Sequence, residues 1–210
     1  SVLHPRSQVP WLTSLEDRVG VFKKLGVNIV TVLTFTPKVA QLSAREFTYL
    51  IKKNLNMRGI LVGPDFTLGR GKEGYIDVLR SLGCEMGFSV DVIPPFIISG
   101  EIVSSTLIRR ALAEGDMRKV TKLMERYFYL EGKVITSEKR GRVLGFPTAN
   151  LDIKPQQALP GNGIYATIAQ VEGRRFPSAT NVGIRPTFGA GEEMVETHLL
   201  NYKGNLYGRN

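Results

Sequence analysis

The sequence predicts an α/β domain followed by an all-β domain. Three observations carry that expectation. Capped amphipathic segments alternate with short β-branched runs up to about residue 126. No helical period survives past Tyr127, and from there strand-like runs are separated by Gly, Pro and charged turns. The 210 residues are 42% hydrophobic, enough for one large core or two small ones.

Taken in order, residues 12–25 place Leu15, Val19 and Phe22 on one face behind a Thr13/Ser14 cap with Glu16 and Asp17, a helix stopped at Gly26. Residues 27–35 form a β-branched run with the texture of a buried parallel strand. Ser43 caps a second helix running to Leu55, and Gly59–Gly63 reads as a second strand. A helix at Tyr75–Leu82, a strand at Ser89–Ile93, a helix opening at Val103 and a helical stretch over 116–126 complete the α/β part. Beyond it, 128–135, 163–171, 178–183 and 195–200 are the strand-like runs.

Charge bounds the ligand class loosely. The net charge of +9 divides into an excess of six over residues 1–126 and three over 127–210, with no basic tail. A nucleotide phosphate, a nucleic-acid backbone and plain solubility each account for such a balance. No run approaches the ~18 apolar residues of a membrane span. The single Cys84 leaves no intramolecular disulfide and no multi-cysteine metal site, and the opening residues lack the charged and apolar regions of a secretory leader, so the cytoplasm is the expected compartment.

Four places have ligand-type chemistry. The loop from Gly63 to Gly74 carries Asp65, Arg70 and Lys72 among glycines, beyond a strand's carboxyl end, where open α/β sheets bind ligands; an ordinary solvated connection reads the same way. Ser104, Ser105 and Thr106 open a helix with Arg109 in its second turn, which suits either a phosphate or a plain cap. The stretch Gly141–Asn150 interrupts the apolar pattern with Gly141, Gly145 and Pro147, and puts Thr148 and Asn150 on one side of an extended segment. A hydroxyl and an amide oxygen beside a backbone nest can hold Mg²⁺ with phosphate oxygens, although a proline-centred turn capped by Asn150 fits equally well. In 195–200, alternation sets Glu196, His198 and Leu200 against Val195, Thr197 and Leu199, so Glu196 is either a base facing a cleft or a charge on a solvated face. His198 reads as a structural or surface histidine, since the other histidine, His4, lies in the other domain.

Several of these segments, in order, resemble a known family. Gly132-Lys133-Val134, Gly141-Arg142-Val143-Leu144-Gly145-Phe146-Pro147-Thr148-Ala149-Asn150-Leu151, Asn181 through Gly189, Glu196-Thr197-His198-Leu199-Leu200 and Gly204 through Gly208 resemble the riboflavin kinase module. Val62 through Gly69 and Val103 through Arg109 resemble the FMN adenylyltransferase module of the bacterial bifunctional riboflavin kinase/FAD synthetases.

The resemblance implies a Rossmann-like nucleotidyltransferase domain over 1–126 and a six-stranded riboflavin-kinase-like β-barrel over 127–210. It implies ATP-dependent phosphorylation of riboflavin to FMN and adenylylation of FMN to FAD, with Mg²⁺. Kinase ATP contacts would fall on Gly132, Lys133, Gly141, Arg142, Gly145, Phe146, Pro147, Thr148 and Asn150, with Thr148 and Asn150 at the metal. Arg185 and Glu196 would meet the flavin, Glu196 as the base, while His4, Asp65, Phe66, Gly69, Ser104, Ser105, Thr106 and Arg109 would serve adenylyl transfer.

Departures from the pattern are specific. The family's first strand and its histidine-rich phosphate motif are expected ahead of Ser1, and within the sequence only His4-Pro5 resembles the histidine–proline pair that follows that motif; the family's closing helix is expected after Asn210. Ser137 stands where glycine is common, and Asn201 and Asn205 where aspartates are usual. A kinase with a degenerate N-terminal domain is the nearer alternative, and a basic nucleic-acid-binding protein the distant one. The expected partners are small molecules, with no nucleic acid or membrane and a monomer or weak homo-oligomer.

Overall fold

The computed structural model describes residues 9–136, 146–185 and 192–209. They divide into two units, one formed by Val21–Val103 and the other by Val9–Gly20 with the residues from Ser104 on. Helix α1, Leu15–Lys24, crosses that division. Its start is a reciprocal cap: Asp17 N donates to Ser14 Oγ at 3.0 Å, and Ser14 N donates to the Asp17 carboxylate at 3.3 Å.

In the first unit, α2 (Pro37–Ala40) precedes α3 (Ala44–Leu55), whose Ser43 and Glu46 form a capping box. Strand β1 (Gly59–Val62) runs in parallel beside β2 (Ser89–Val92), joined through α4 (Ile76–Met86), a βαβ unit. Ala44, Leu82 and Phe88 form its core, with Ile60, Leu68 and Val90 packed around them. Gly83 lets α4 turn tightly into β2, since a Cβ there would lie 2.6 Å from Phe88 O. A two-residue-per-strand hairpin, β3 (Ile97–Ile98) and β4 (Glu101–Ile102), ends this unit; the sequence reading did not foresee it.

One expected strand is not formed. Residues 27–35 carry no strand, and Ile29 is 81% exposed. A parallel strand buried on both faces needs ladder partners at its edges. Among the described residues β1 and β2 pair with each other alone, so the apolar run has no partner to order it.

The second unit starts with α5 (Ser105–Ala113) and α6 (Met117–Met124), burying Ile108, Ala111, Leu112, Val120 and Leu123. The carboxyl end of α5 docks on the β part: Gly161 N donates to Leu112 O at 2.9 Å, and a Cβ on Gly161 would stand 2.3 Å from Ala113 O. Five antiparallel strands follow, β5 (Gly132–Ile135), β6 (Ala149–Ile153), β7 (Gly163–Val171), β8 (Arg174–Arg185) and β9 (Glu192–Leu199), in the order β5-β6-β9-β8-β7. This is the expected β architecture, with five strands among the described residues where six were expected.

The ends of the sheet are drawn toward each other. Gly208 N donates to Val134 O and Val134 N to Arg209 O, at 2.9 and 2.8 Å, covering the outer edge of β5. Arg209 then pairs with Glu172 in the β7–β8 turn, where Glu172 and Gly173 both have positive φ, the two-residue turn that matches strand twist. Inside, Val134, Leu151, Val195, Val182 and Gly163 form one cross-strand row, and the Thr167, Thr180 and Thr197 hydroxyls bond in series at 2.7 and 2.9 Å. Buried hydroxyls satisfied by one another carry little desolvation cost.

The segment 9–20 is tied to this unit. Trp11 bridges Gln157, with Trp11 N donating to Gln156 O at 2.6 Å and Ala158 N to Trp11 O at 2.8 Å. The hydrogen bond from Tyr129 holds the Asp17 carboxyl below its ordinary value, while partial burial and that same bond push the Tyr129 phenol up to about 12. A phenol raised from about 10 in the unfolded chain contributes stability that is whole below pH ~10 and is lost as pH rises toward 12. Unfolding by urea at a series of pH values is expected to show that alkaline fall, and Tyr129→Phe is expected to flatten it. No helix among the described residues is long and apolar enough to cross a membrane.

Candidate functional site

β9 alternates as its sequence predicts. Val195, Thr197 and Leu199 are buried, while Glu196 and His198 sit half-buried on the opposite face; Leu200 lies past the strand end and is exposed. Pairing across three strands then sets Glu196 beside Asn150 of β6 on one side and Asn181 of β8 on the other. Directly opposed residues of antiparallel strands share a face with Cβ atoms about 4.5–5.5 Å apart. The row runs Ile135, Asn150, Glu196, Asn181, Ile164, a carboxylate between two carboxamides flanked by apolar residues.

Asn150 is 3% exposed, so its carboxamide is held inside the protein on this face. Beside it a cavity of ≈ 180 Å³ opens where β6 leaves β9, lined in part by Asp152, Glu193 and Met194. The ladder between the two strands ends at the pair Ala149 and Thr197. Thr148 therefore lies just outside it, half-buried. The turn before it is held by a side chain: His198 Nδ1 meets Pro147 O at 2.8 Å, and the Phe146 ring stands edge-on to the His198 ring at 5.6 Å.

Of the remaining kinase-type positions, Lys133 is exposed on β5 opposite Asp152. Gly132 is filled by its own fold, since a Cβ would stand 2.5 Å from Asp152 O. Phe146 is 65% exposed. Gly141, Arg142 and Gly145, together with Ser137, lie outside the described residues, as does His4; Arg185 is described as the last backbone position of β8.

The adenylyl-transfer positions fall in both units. Asp65, Phe66 and Gly69 share the loop beyond the carboxyl end of β1, with Asp65 and Phe66 exposed. That loop is fastened to α3: Arg70 N donates to Leu42 O at 2.8 Å, and Glu73 accepts from Ala44 N at 2.7 Å. Ser104, Ser105, Thr106 and Arg109 belong to α5 in the second unit. The Ser104 hydroxyl accepts from Leu107 N at 3.2 Å, a cap, and Arg109 Nε donates to Pro10 O at 2.8 Å, while Ser105 and Thr106 face solvent in the first turn.

Sequence reasoning missed Asn181 and the contact of His198 with Pro147. Both depend on strand register between segments far apart in the chain, and alternation within one segment carries no such information.

The α/β part and the antiparallel part that follows it correspond, in order, to a nucleotidyltransferase domain of FAD synthetase type and a flavokinase domain. The chain belongs to the FAD synthetase family, whose model matches residues 1–107, and residues 124–210 match the riboflavin kinase model. It is 34% identical over 200 residues to a bifunctional riboflavin kinase/FMN adenylyltransferase of Escherichia coli K12, covering 94% of this chain and 64% of that one. The Pseudomonas fluorescens and Bacillus subtilis proteins of the same description are 36% and 30% identical, over 88% and 94% of this chain and 60% and 63% of theirs. The chain thus spans less than two thirds of the length of these relatives. A crystal structure described as a macrolide-efflux protein from Streptococcus pneumoniae superposes with a TM-score of 0.85 at 27% identity, covering 94% of this chain and 64% of that one.

Proposed function

We propose that the protein phosphorylates riboflavin to FMN in its β unit and adenylylates FMN to FAD in its α/β unit, with ATP as donor in both steps. The observation that carries the first half is the register that sets Glu196 between Asn150 and Asn181. Phosphoryl transfer needs alignment, charge neutralisation and one acceptor for the hydroxyl proton. Glu196 is that acceptor: a carboxylate oxygen takes the proton of the riboflavin 5′-hydroxyl as the oxygen attacks the γ-phosphorus and ADP leaves. Asn181 and Asn150, on either side, offer amide groups that orient the carboxylate and the substrate.

The donor set fits Mg²⁺. Thr148 offers a hydroxyl and the buried Asn150 an amide oxygen, both hard oxygen ligands, and no cluster of three or more His, Cys, Asp or Glu competes for an ion among the described residues. Bound there with the nucleotide, Mg²⁺ would neutralise phosphate charge; Thr148 and Asn150 would hold it against the β sheet. For adenylyl transfer, the loop at Asp65 and Phe66 in the first unit would take the nucleotide; Ser105, Thr106 and Arg109, in α5 of the second unit, offer two hydroxyls and a guanidinium to a phosphate.

The bacterial relatives' names and both family models support small-molecule chemistry; the accompanying reading is a cytoplasmic monomer or weak homo-oligomer that binds no nucleic acid. The efflux description is that of the structural neighbour; both family models here are of flavin-cofactor enzymes.

Incubation with riboflavin, ATP and Mg²⁺, with FMN and FAD separated afterwards, and a second incubation starting from FMN, tests the two halves independently. FMN formed without FAD in either incubation would leave a kinase alone. Thr148→Ala is expected to raise the KM for Mg·ATP in FMN formation roughly tenfold, about 1.4 kcal/mol, and to leave conversion of FMN to FAD at the wild-type rate. Equal loss of both activities would argue against two sites.

A further inference from the structure

We propose that His198 is a positioning residue for the kinase step, setting Thr148 against Glu196 through its hydrogen bond to Pro147. The inference rests on the riboflavin kinase reading of the β unit.

The two candidate oxygen donors to Mg·ATP are held in different ways. Asn150 sits inside the β6–β9 ladder, directly opposite Glu196, so the sheet itself fixes their separation. Thr148 lies one residue beyond the last pair, Ala149 with Thr197, and no backbone ladder continues to it. Pro147 cannot extend that ladder with a donor, because it has no N–H. Continuation of the register would put Thr148 opposite His198, and the imidazole takes over there, with Nδ1 at 2.8 Å from Pro147 O.

The carbonyl oxygen of Pro147 can only accept, so Nδ1 carries the proton. The Phe146 ring, edge-on to the imidazole at 5.6 Å with planes at 79°, adds a second contact between the same turn and His198. His198 and Glu196 are two apart on β9 and share its face, so the residue holding the turn and the residue proposed as the base are parts of one rigid strand. Movement of the 146–148 turn away from β9 would take Thr148 from the metal while leaving Asn150 and Glu196 in place. His198 therefore acts through Thr148, without touching the reacting atoms.

The test compares His198→Phe, His198→Asn and His198→Gln in the full-length protein, alone and with Thr148→Ala. Phenylalanine keeps a ring beside Phe146 and removes the donor. Asparagine places an amide N–H near the position of Nδ1, whereas glutamine carries it out toward that of Nε2. His198→Phe and His198→Gln are expected to raise the KM for Mg·ATP in FMN formation about fivefold, the scale of one net hydrogen bond, with kcat changed less than about twofold. His198→Asn is expected to stay within about twofold of wild type. The Thr148→Ala/His198→Phe double variant is expected to match Thr148→Ala alone, because residues that act as one unit are not additive.

A wild-type KM in His198→Phe, an asparagine variant no better than the glutamine one, or multiplied effects in the double variant would overturn the proposal and leave the kinase reading standing. Should the phenylalanine variant not fold, the asparagine–glutamine pair decides, each crossed with Thr148→Ala. A wild-type protein that makes no FMN from riboflavin overturns both readings together.

Discussion

Glu196→Gln is expected to lower the turnover of riboflavin to FMN by roughly 10²–10⁴-fold, the usual contribution of a positioned general base. The amide is nearly isosteric and still fits between Asn150 and Asn181 in the cross-strand row, so the sheet should form unchanged. Only the ability to take a proton is removed. Conversion of FMN to FAD, assigned to the other unit, should continue at the wild-type rate. Circular dichroism on the variant, with separate rates from riboflavin and from FMN, makes the test complete: retained kinase turnover in a folded variant would remove Glu196 from the role of base. A carboxylate on a merely solvated strand face would give that result.

Gly69→Ala is expected to unfold or strongly destabilise the first unit. Gly69 has φ +80° and ψ 167°, a region that L side chains rarely adopt, and a Cβ built there would lie 2.5 Å from Ala44 N and 2.9 Å from Ala44 Cα. Both obstacles are backbone at the start of α3, where Arg70 N and Glu73 also fasten the loop. The backbone conformation costs roughly 1–3 kcal/mol and the overlap about as much again. Urea unfolding should show an early loss of α/β structure, with FAD formation falling and FMN formation from riboflavin retained. The resemblance assigned Gly69 to nucleotide contact; if close approach of a ligand were its whole reason for being glycine, the alanine variant would show a raised KM and unchanged stability.

How much was legible in the sequence depended on whether the information was local. Ser43 with Glu46, and Ser14 with Asp17, announce helix starts because a cap is satisfied within three residues. The alternation that puts Glu196 and His198 opposite Val195 and Thr197 is equally local, and the structure shows it. Strand β6 was hidden, since Pro147 and the glycines before it read as a turn and the five residues of the strand begin immediately afterwards. The run 27–35 failed in the opposite direction. Its β-branched composition fits a buried strand, but a strand is made by its neighbours, and none of the described residues pairs with it. Asn181 beside Glu196, and Pro147 against His198, join residues 15 and 51 positions apart, and register between strands decides both.

The docking of α5 sets where the chain can be cut. Gly161 completes the carboxyl end of α5 by donating to Leu112 O, and Trp11 runs along Gln156–Ala158. A recombinant fragment started at residue 127, where the β texture begins, would leave Gly161 N without its helix and would discard the apolar faces of α5 and α6. A fragment started at Ser104 keeps the helices but still gives up the strip at Trp11. Isolating the β unit for crystallography or binding studies therefore calls for keeping the segment at Trp11, with the whole of α1 to Lys24, joined through a flexible linker to the residues from Ser104 on, rather than for a simple truncation.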